Sequence, residues 1–319
     1  VSLPAEFGLI ARHFRPLAGA GALDLLDDAA LLDPPPGRTL VLAADAMVAG
    51  VHFLPEDPPE TIGRKLLRVN LSDLAAMGAA PLGYLMTTAF PHGTAEDWIA
   101  GFVAGLAEDQ REFGIQVLGG DTVGTAGPAT FSLTILGTVA PGRALRRAGA
   151  RPGDELWVSG SIGDGALGLL ALTGRLPPDA HLARRYRLPE PRLALGQALV
   201  GVARAAMDVS DGLAQDLGHL CRAGGCGAVL QAASVPLSAP AAAALAADPA
   251  LLARILGGGD DYELLFAAAP QDAALVREAG VAAGVAVTRI GRFTAGSEVV
   301  IEDAAGAPLA LPAAGWSHM

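Results

Sequence analysis

The chain has 319 residues, 51% of them hydrophobic, and a formal net charge of −11. That length and apolar content suffice for a sizeable core and favour two domains over one. The acidic balance excludes a nucleic-acid binder and a binder of anionic membranes, both of which need basic patches, and it suits a protein whose acids hold cations.

No run of ~18 uncharged apolar residues free of proline occurs, and Val1 to Glu6 lacks a basic segment followed by an apolar one, so the expected location is the cytoplasm. Cys221 and Cys226 have four residues between them and there is no further cysteine, which predicts buried free thiols and neither a zinc site nor a disulfide framework. Lys65 is the only lysine, and no P-loop glycines precede it. Any nucleotide is therefore handled without a Walker A motif.

In chain order, Glu6 to Phe14 predicts a short amphipathic helix and Pro16 to Leu26 a Gly/Ala-rich loop that delivers Asp27 and Asp28. After the turn at Pro34-Pro35-Pro36, Thr39 to Asp45 reads as a strand ending on a carboxylate, followed by Met47-Val48-Ala49-Gly50-Val51-His52-Phe53. A helix then opens with Asp57 as cap, Pro58 at the first position and Glu60 at capping-box spacing, and closes at Gly78 with Pro81 beyond. At ~100° per residue Ile62, Leu66, Val69 and Met77 form one stripe with Asp73 in its middle, so Asp73 is expected to point inward. A buried carboxylate is costly unless a cation or several donors meet it. Taken alone, Asp73 reads as a structural ion pair or a cap.

Next come a strand over Leu82 to Ala89, a helix from Thr94 to Phe113 capped by Thr94, a strand Ile115 to Leu118 running into Gly119-Gly120-Asp121, and a strand Phe131 to Val139. Pro141-Gly142 through Pro152-Gly153 reads as an interdomain connection, giving an N-terminal domain over 1–140 and a C-terminal α/β domain over 141–319. In the second half, Leu156 to Ser159 is a strand, Gly160 to Gly165 a turn, and Ala166 to Thr173 a helix start. The turn resembles a glycine-rich phosphate loop, although close packing at a strand-to-helix turn is the commoner cause of such glycines. Asp208-Val209-Ser210-Asp211-Gly212 places two acids three apart in a turn, with Ser210 or Asp211 able to cap the following helix. Ala239 to Ala247 reads as helix or filler, and Gly257-Gly258-Gly259-Asp260-Asp261-Tyr262-Glu263 precedes an apolar strand.

Asp27, Asp28, Asp45, Asp73, Asp121, Asp208 and Asp211 thus sit at strand ends, turns or a helix face, none in a solvated charge run. Each alone is a cap or turn residue. Together, beside Gly-Gly turns and without His or Cys partners, they point to hard divalent cations held by oxygen, Mg²⁺ first, and Mg²⁺ bound by few carboxylates implies phosphate oxygens and hence a nucleotide.

The motifs Leu26-Asp27-Asp28-Ala29, Asp45 to Phe53, Asn70-Leu71-Ser72-Asp73-Leu74-Ala75-Ala76-Met77-Gly78, Gly119-Gly120-Asp121-Thr122, Asp208 to Leu213 and Gly258-Gly259-Asp260-Asp261-Tyr262-Glu263-Leu264 resemble, nearly end to end, the ordered motifs of thiamine-monophosphate kinase. The wider superfamily, which includes aminoimidazole-ribonucleotide synthetase, shares the aspartate pattern and the ATP chemistry. His52, the Asn-Leu-Ser-Asp and Asp-Tyr-Glu-Leu blocks and Trp316 favour the kinase.

The resemblance implies a two-domain α/β fold in which the N-terminal sheet pairs with its twin in a homodimer, a C-terminal α/β domain packs against it, and ATP lies between the domains. It implies Asp28, Asp45, Asp73, Asp121, Asp208 and Asp211 as Mg²⁺ ligands, and Gly120, Asp121, Arg147 and Ser210 as ATP contacts. It further implies His52, Glu263 and Trp316 as contacts to the thiamine end. The alternatives are a packed core histidine for His52 and a frayed terminus for Trp316. The implied reaction is direct in-line transfer of the γ-phosphoryl group of ATP to thiamine monophosphate, with Asp45, Asp73, Asp121 and Arg147 carrying the chemistry. Two rivals stand beside it: another ATP-dependent enzyme of the superfamily activating an amide or a selenide, and a non-catalytic Mg²⁺-nucleotide-binding module. The chain departs from the family at Ala43-Ala44, where Ser-Thr is usual, and at Leu26, where Gly is usual.

Overall fold

A computed structural model describes residues 5–316, with side chains from Phe7 onward. By its contacts the chain forms two units, Val1–Leu74 with Ala80–Gly142, and Ala75–Ala79 with Arg143–Met319.

In the first unit, the N-terminal segment opens with α1 (Ala5–Leu9), continues through a π-helical turn (Ile10–Phe14), and ends in tight turns before β1 (Thr39–Val48), α2 (Pro59–Ala76), β2 (Ala80–Pro91), α3 (Glu96–Phe113), β3 (Val117–Thr125) and β4 (Thr130–Val139). The strands form one sheet in the order β1-β4-β2-β3, with β2 and β3 parallel and the other pairs antiparallel. One face carries helices: Phe131 of β4 stacks on Phe102 of α3, and Tyr84 of β2 accepts from Gln110 of α3. The other face is partly open and shows apolar side chains, Leu40, Leu42, Leu85 and Val123.

Several boundaries differ from expectation for local reasons. Thr94 donates its hydroxyl to the Pro91 carbonyl at 2.7 Å instead of capping, so α3 starts at Glu96. β1 continues past Asp45, since its whole length pairs with β4. β3 likewise runs through Gly119-Gly120-Asp121. A Cβ at Gly120 would lie 1.7 Å from the Met86 carbonyl oxygen, so glycine there is what lets the two strands approach.

The second unit has a six-stranded sheet in the order β10-β7-β9-β5-β8-β6, built from β5 (Glu155–Ser159), β6 (Ala203–Asp208), β7 (Gly227–Gln231), β8 (Leu264–Ala268), β9 (Val287–Thr294) and β10 (Val299–Glu302). Its helices are α4 (Asp164–Leu172), α5 (Ala180–Arg187), α6 (Leu193–Ala198), α7 (Leu213–Gly224), α8 (Ala239–Ala247), α9 (Leu251–Gly257) and α10 (Ala273–Ala283). β8 is buried at every position, as a central strand covered on both faces must be. Leu213, Leu217 and Leu220 of α7 pack into the core with Val158 and Leu265. Cys221 and Cys226 are free and buried.

Candidate active site

In the first unit the predicted residues fall into two groups. The first lies along β1 and α2. The Asp45 N–H donates to Asn70 Oδ1 at 3.1 Å, and Asn70 Nδ2 donates to the Leu66 carbonyl at 2.9 Å, so a fully buried asparagine clips the strand edge to the helix. Asp73, three residues on, shares that helix face. The inward position expected of it is only partly met: Ile62, Leu66 and Val69 are buried, whereas Asp73 and Met77 are half-exposed. The stripe opens toward solvent at its C-terminal end, and Asp73 sits at that opening. His52 closes the turn after β1. Its Nδ1 accepts from the Val48 N–H at 3.0 Å, which places the proton of the neutral ring on Nε2, and Lys65 Nζ donates to its carbonyl at 2.9 Å.

The second group lines a groove of about 730 Å³ between the N-terminal segment and the open sheet face, where Asp27, Asp28, Gly120 and Asp121 come together with Phe14 and Thr87. Three consecutive residues immediately before it, Leu23, Asp24 and Leu25, have φ of 52°, 58° and 55°. A left-handed conformation costs a non-glycine residue roughly 1–2 kcal/mol, so this turn is held by its surroundings. Composition gives no sign of it.

The register separates the two groups. Asp45 is opposite Leu133, on the helix side, whereas Asp121 is opposite Thr87 and Thr87 opposite Ser132, on the open side. β1 and β3 are the two edges of the sheet, three spacings of ~4.8 Å or roughly 14 Å apart.

In the second unit, Asp208 ends β6 in a buried position and Asp211 follows in the turn. The expected cap on α7 by Ser210 or Asp211 is replaced by a reverse contact. Asp216, inside the first turn of α7, accepts the Asp211 and Gly212 N–H groups on Oδ2, each at 3.1 Å. Burial raises the Asp216 pKa, and Asp208 and Asp211 raise it further, to about 7 despite those two donors. The sequence reading missed Asp216. Its signal was an acid among Leu213, Leu217 and Leu220 on a buried helix face, the same anomaly that singled out Asp73.

The Ser210 carbonyl accepts the Asp260 N–H at 3.0 Å and the Val209 carbonyl the Tyr262 N–H at 2.8 Å, binding the acid turn to the Gly257–Glu263 segment, where Asp260 and Tyr262 both have positive φ. Arg147 is exposed and lies near His219, whose pKa is lowered by burial first and then by Arg222 and Arg147. Trp316, 52% exposed, donates its backbone N–H to the Asp211 carbonyl at 2.9 Å.

One expectation is corrected here, and the less favoured of two readings falls away. Glu263 is fully buried and its carboxylate accepts from Ser159 at 2.6 Å, Arg185 at 2.9 Å and Arg192 at 2.7 Å, so it holds the core together and has no surface for a ligand. The Gly160–Gly165 turn offers no phosphate loop, because the Gly163 and Gly165 N–H groups donate to the buried Asp261 carboxylate at 2.7 and 3.1 Å. An internal acid fills the start of α4.

Among the described residues no group of three or more His, Cys, Asp or Glu is arranged to hold a metal ion unaided. The donors nonetheless fit Mg²⁺. All are carboxylates, Mg²⁺ needs only one or two of them with phosphate oxygens and water completing its shell, and the mutual repulsion of Asp208, Asp211 and Asp216 is what a cation would relieve.

Comparison with known proteins places these features. Residues 26–139 match the model of the AIR synthase related protein N-terminal domain, and 151–304 that of the C-terminal domain. The fold and its aspartates therefore define an AIR synthase-related protein. A thiamine-monophosphate kinase from Caulobacter vibrioides is 49% identical over 302 residues, 93% of this chain and 86% of that one. The crystal structure of thiamine-monophosphate kinase from Stenotrophomonas maltophilia superposes with a TM-score of 0.85 at 40% identity, over 96% of this chain and 98% of that one. AaThiL complexed with AMPPCP and TMP superposes with a TM-score of 0.79 at 27% identity, over 100% and 99%. The chain belongs to the thiamine-monophosphate kinase family.

Proposed function

We propose that the protein transfers the γ-phosphoryl group of ATP to thiamine monophosphate, giving thiamine diphosphate and ADP. The observation that carries this reading is the end-to-end similarity to thiamine-monophosphate kinases, one relative having been solved with AMPPCP and TMP. The site chemistry agrees with it. A phosphate monoester has its second pKa near ~6, so the attacking oxygen is already deprotonated at neutral pH and no residue need act as general base. The obstacle is charge: two unit charges ~4 Å apart repel by ~4 kcal/mol at an effective dielectric of ~20. Bound Mg²⁺ supplies the neutralisation of the phosphate oxygens.

The protein's part is positioning. Asp28, Asp45, Asp73, Asp121, Asp208 and Asp211 would hold the ions, with Asp45, Asp73 and Asp121 nearest the chemistry. Gly120, Asp121 and Ser210 contact ATP, and the planar Arg147 fork grips phosphate oxygens. His52, donating from Nε2, and the exposed Trp316 face suit the cationic thiamine end.

A homodimer belongs to this reading. The open sheet face, with Leu40, Leu42, Leu85 and Val123, suits a second copy, and the separation of Asp45 from Asp121 within one sheet is the arrangement expected if groups from two copies complete each site. No described helix is long and apolar enough to cross a membrane, which agrees with a cytoplasmic enzyme.

The test is ADP release with ATP and Mg²⁺, with and without thiamine monophosphate. Release that requires it supports the reading. Release driven instead by an amide or selenide substrate favours the first rival, and nucleotide binding without turnover the second.

A further inference from the structure

The last described residues form a strap bedded on the acid turn of the second unit. A Cβ at Gly315 would lie 2.4 Å from Gln215 Cβ, and one at Gly257 would lie 2.7 Å from the Ala313 carbonyl oxygen, so the strap passes directly over α7 and the end of α9. Gly212 approaches the Gly257 backbone as closely, 2.8 Å for its would-be Cβ. Strap, acid turn and α9 are thus interlocked backbone to backbone, with glycine wherever two chains cross.

At the centre is Gln215. Its Nε2 donates to Asp211 Oδ2 at 3.2 Å and to the Trp316 carbonyl at 2.8 Å, while the Trp316 N–H donates to the Asp211 carbonyl. An amide nitrogen carries two donors, and both are committed here. The side chain of a proposed Mg²⁺ ligand and the backbone of a proposed substrate contact therefore share one amide.

We propose that Gln215 is a positioning residue that couples cation occupancy at Asp211 to the placement of the Trp316 strap, so that the divalent ion prepares the site for the thiamine end. A cation on Asp211 withdraws charge from the oxygen that Gln215 faces and fixes that carboxylate's rotamer, and either change is passed through the amide to Trp316. Coupling is reciprocal: Mg²⁺ tightens acceptor binding, and the acceptor tightens Mg²⁺ binding by the same factor. This inference rests on the function proposed above, but part of its test does not.

Trp316 is one of three tryptophans; Trp157 is buried and Trp98 half-buried in an aromatic cluster. In a Trp98→Phe background, acrylamide quenching reports chiefly on Trp316. Mg²⁺ alone is expected to change that quenching in the parent and to leave it unchanged in Gln215→Met, which keeps the side-chain length and removes both donors. In turnover, Gln215→Met should raise KM for thiamine monophosphate about tenfold, the scale of one lost hydrogen bond to a charged group, with kcat and KM for ATP within about threefold. Gly315→Ala, whose added Cβ meets Gln215 and lifts the strap while keeping the amide's two donors, should reproduce both effects even where Gln215→Met disturbs folding. Quenching in the parent that ignores Mg²⁺, or variants that match the parent in quenching and KM, would overturn the coupling. A parent that shows the quenching change but no turnover with thiamine monophosphate overturns the proposed reaction and leaves the coupling standing.

Discussion

Glu263→Gln separates a core role from a substrate contact. The Glu263 carboxylate is fully buried, and it faces Arg185, whose side chain is 5% exposed, and Arg192, at 15%. Burial opposes the charge on Arg192, yet Glu263 first and Glu190 after it more than offset this, so its pKa lies above the ordinary guanidinium value. Replacing the carboxylate by an amide leaves the two cations with only the partly exposed Glu190 as a charged partner, and the new NH₂ must point at one of the donors that now bond to oxygen. Losing one partner of a buried ion pair costs about 3–5 kcal/mol. With a melting shift of about 2–4 °C per kcal/mol for a unit of 150–250 residues, the variant should melt about 6–20 °C lower. Scanning calorimetry of both proteins, with steady-state kinetics well below either transition, checks this. KM for thiamine monophosphate should change less than about threefold, because only indirect effects remain. An unchanged melting temperature with a strongly raised KM would refute the core assignment and restore Glu263 as a ligand contact.

Further outcomes follow from other parts of the structure. Burial raises the Asp261 pKa to about 8, outweighing the Gly163 and Gly165 N–H groups, so the folded state retains a proton that the unfolded chain releases near ~4. Stability from this group is complete below ~4 and is lost as pH rises through 8; urea unfolding at pH 6 and pH 9 should show a larger drop for the parent than for Asp261→Asn, and equal drops would contradict the shift. Ala43→Ser with Ala44→Thr restores hydroxyls usual in the family and should lower the Mg²⁺ concentration for half-maximal rate; an unchanged Mg²⁺ dependence would show that hydroxyls there do not matter. Leu42→Arg, on the open sheet face, should shift the sedimenting species toward monomer with parallel loss of activity, and a monomeric parent at micromolar concentration would count against the dimer.

What the sequence shows of this fold is what local chemistry controls. Strand alternation marks Phe131 to Val139 and Leu156 to Ser159 because one or both faces are buried, and the Asp73 and Asp208–Asp211 motifs stand out as acids where apolar residues or caps belong. What it hides depends on distant partners. Asp45 reads as a strand end until pairing with β4 carries the strand to Val48. The Gly160–Gly165 turn reads more readily as close packing than as a phosphate loop, but nothing in the sequence shows that Asp261, almost a hundred positions away, takes its N–H groups. Glu263 looks like a free acid in a glycine-rich motif until two arginines and a serine close on it. Burial and long-range ion pairing leave no periodic trace, and neither does the left-handed run at Leu23 to Leu25.

The central claim, phosphoryl transfer to thiamine monophosphate supported by the acid groups, is tested most directly by product stoichiometry in the parent and in Asp73→Asn. ADP and thiamine diphosphate are separated by chromatography after incubation with ATP, Mg²⁺ and thiamine monophosphate, and each variant's melting curve is recorded alongside. The account predicts equimolar products from the parent, and no detectable thiamine diphosphate from Asp73→Asn at a temperature where its melting curve shows it folded, since the half-exposed Asp73 is proposed to hold the ions. Near-normal thiamine diphosphate formation by Asp73→Asn, or ADP from the parent without matching thiamine diphosphate, would contradict it.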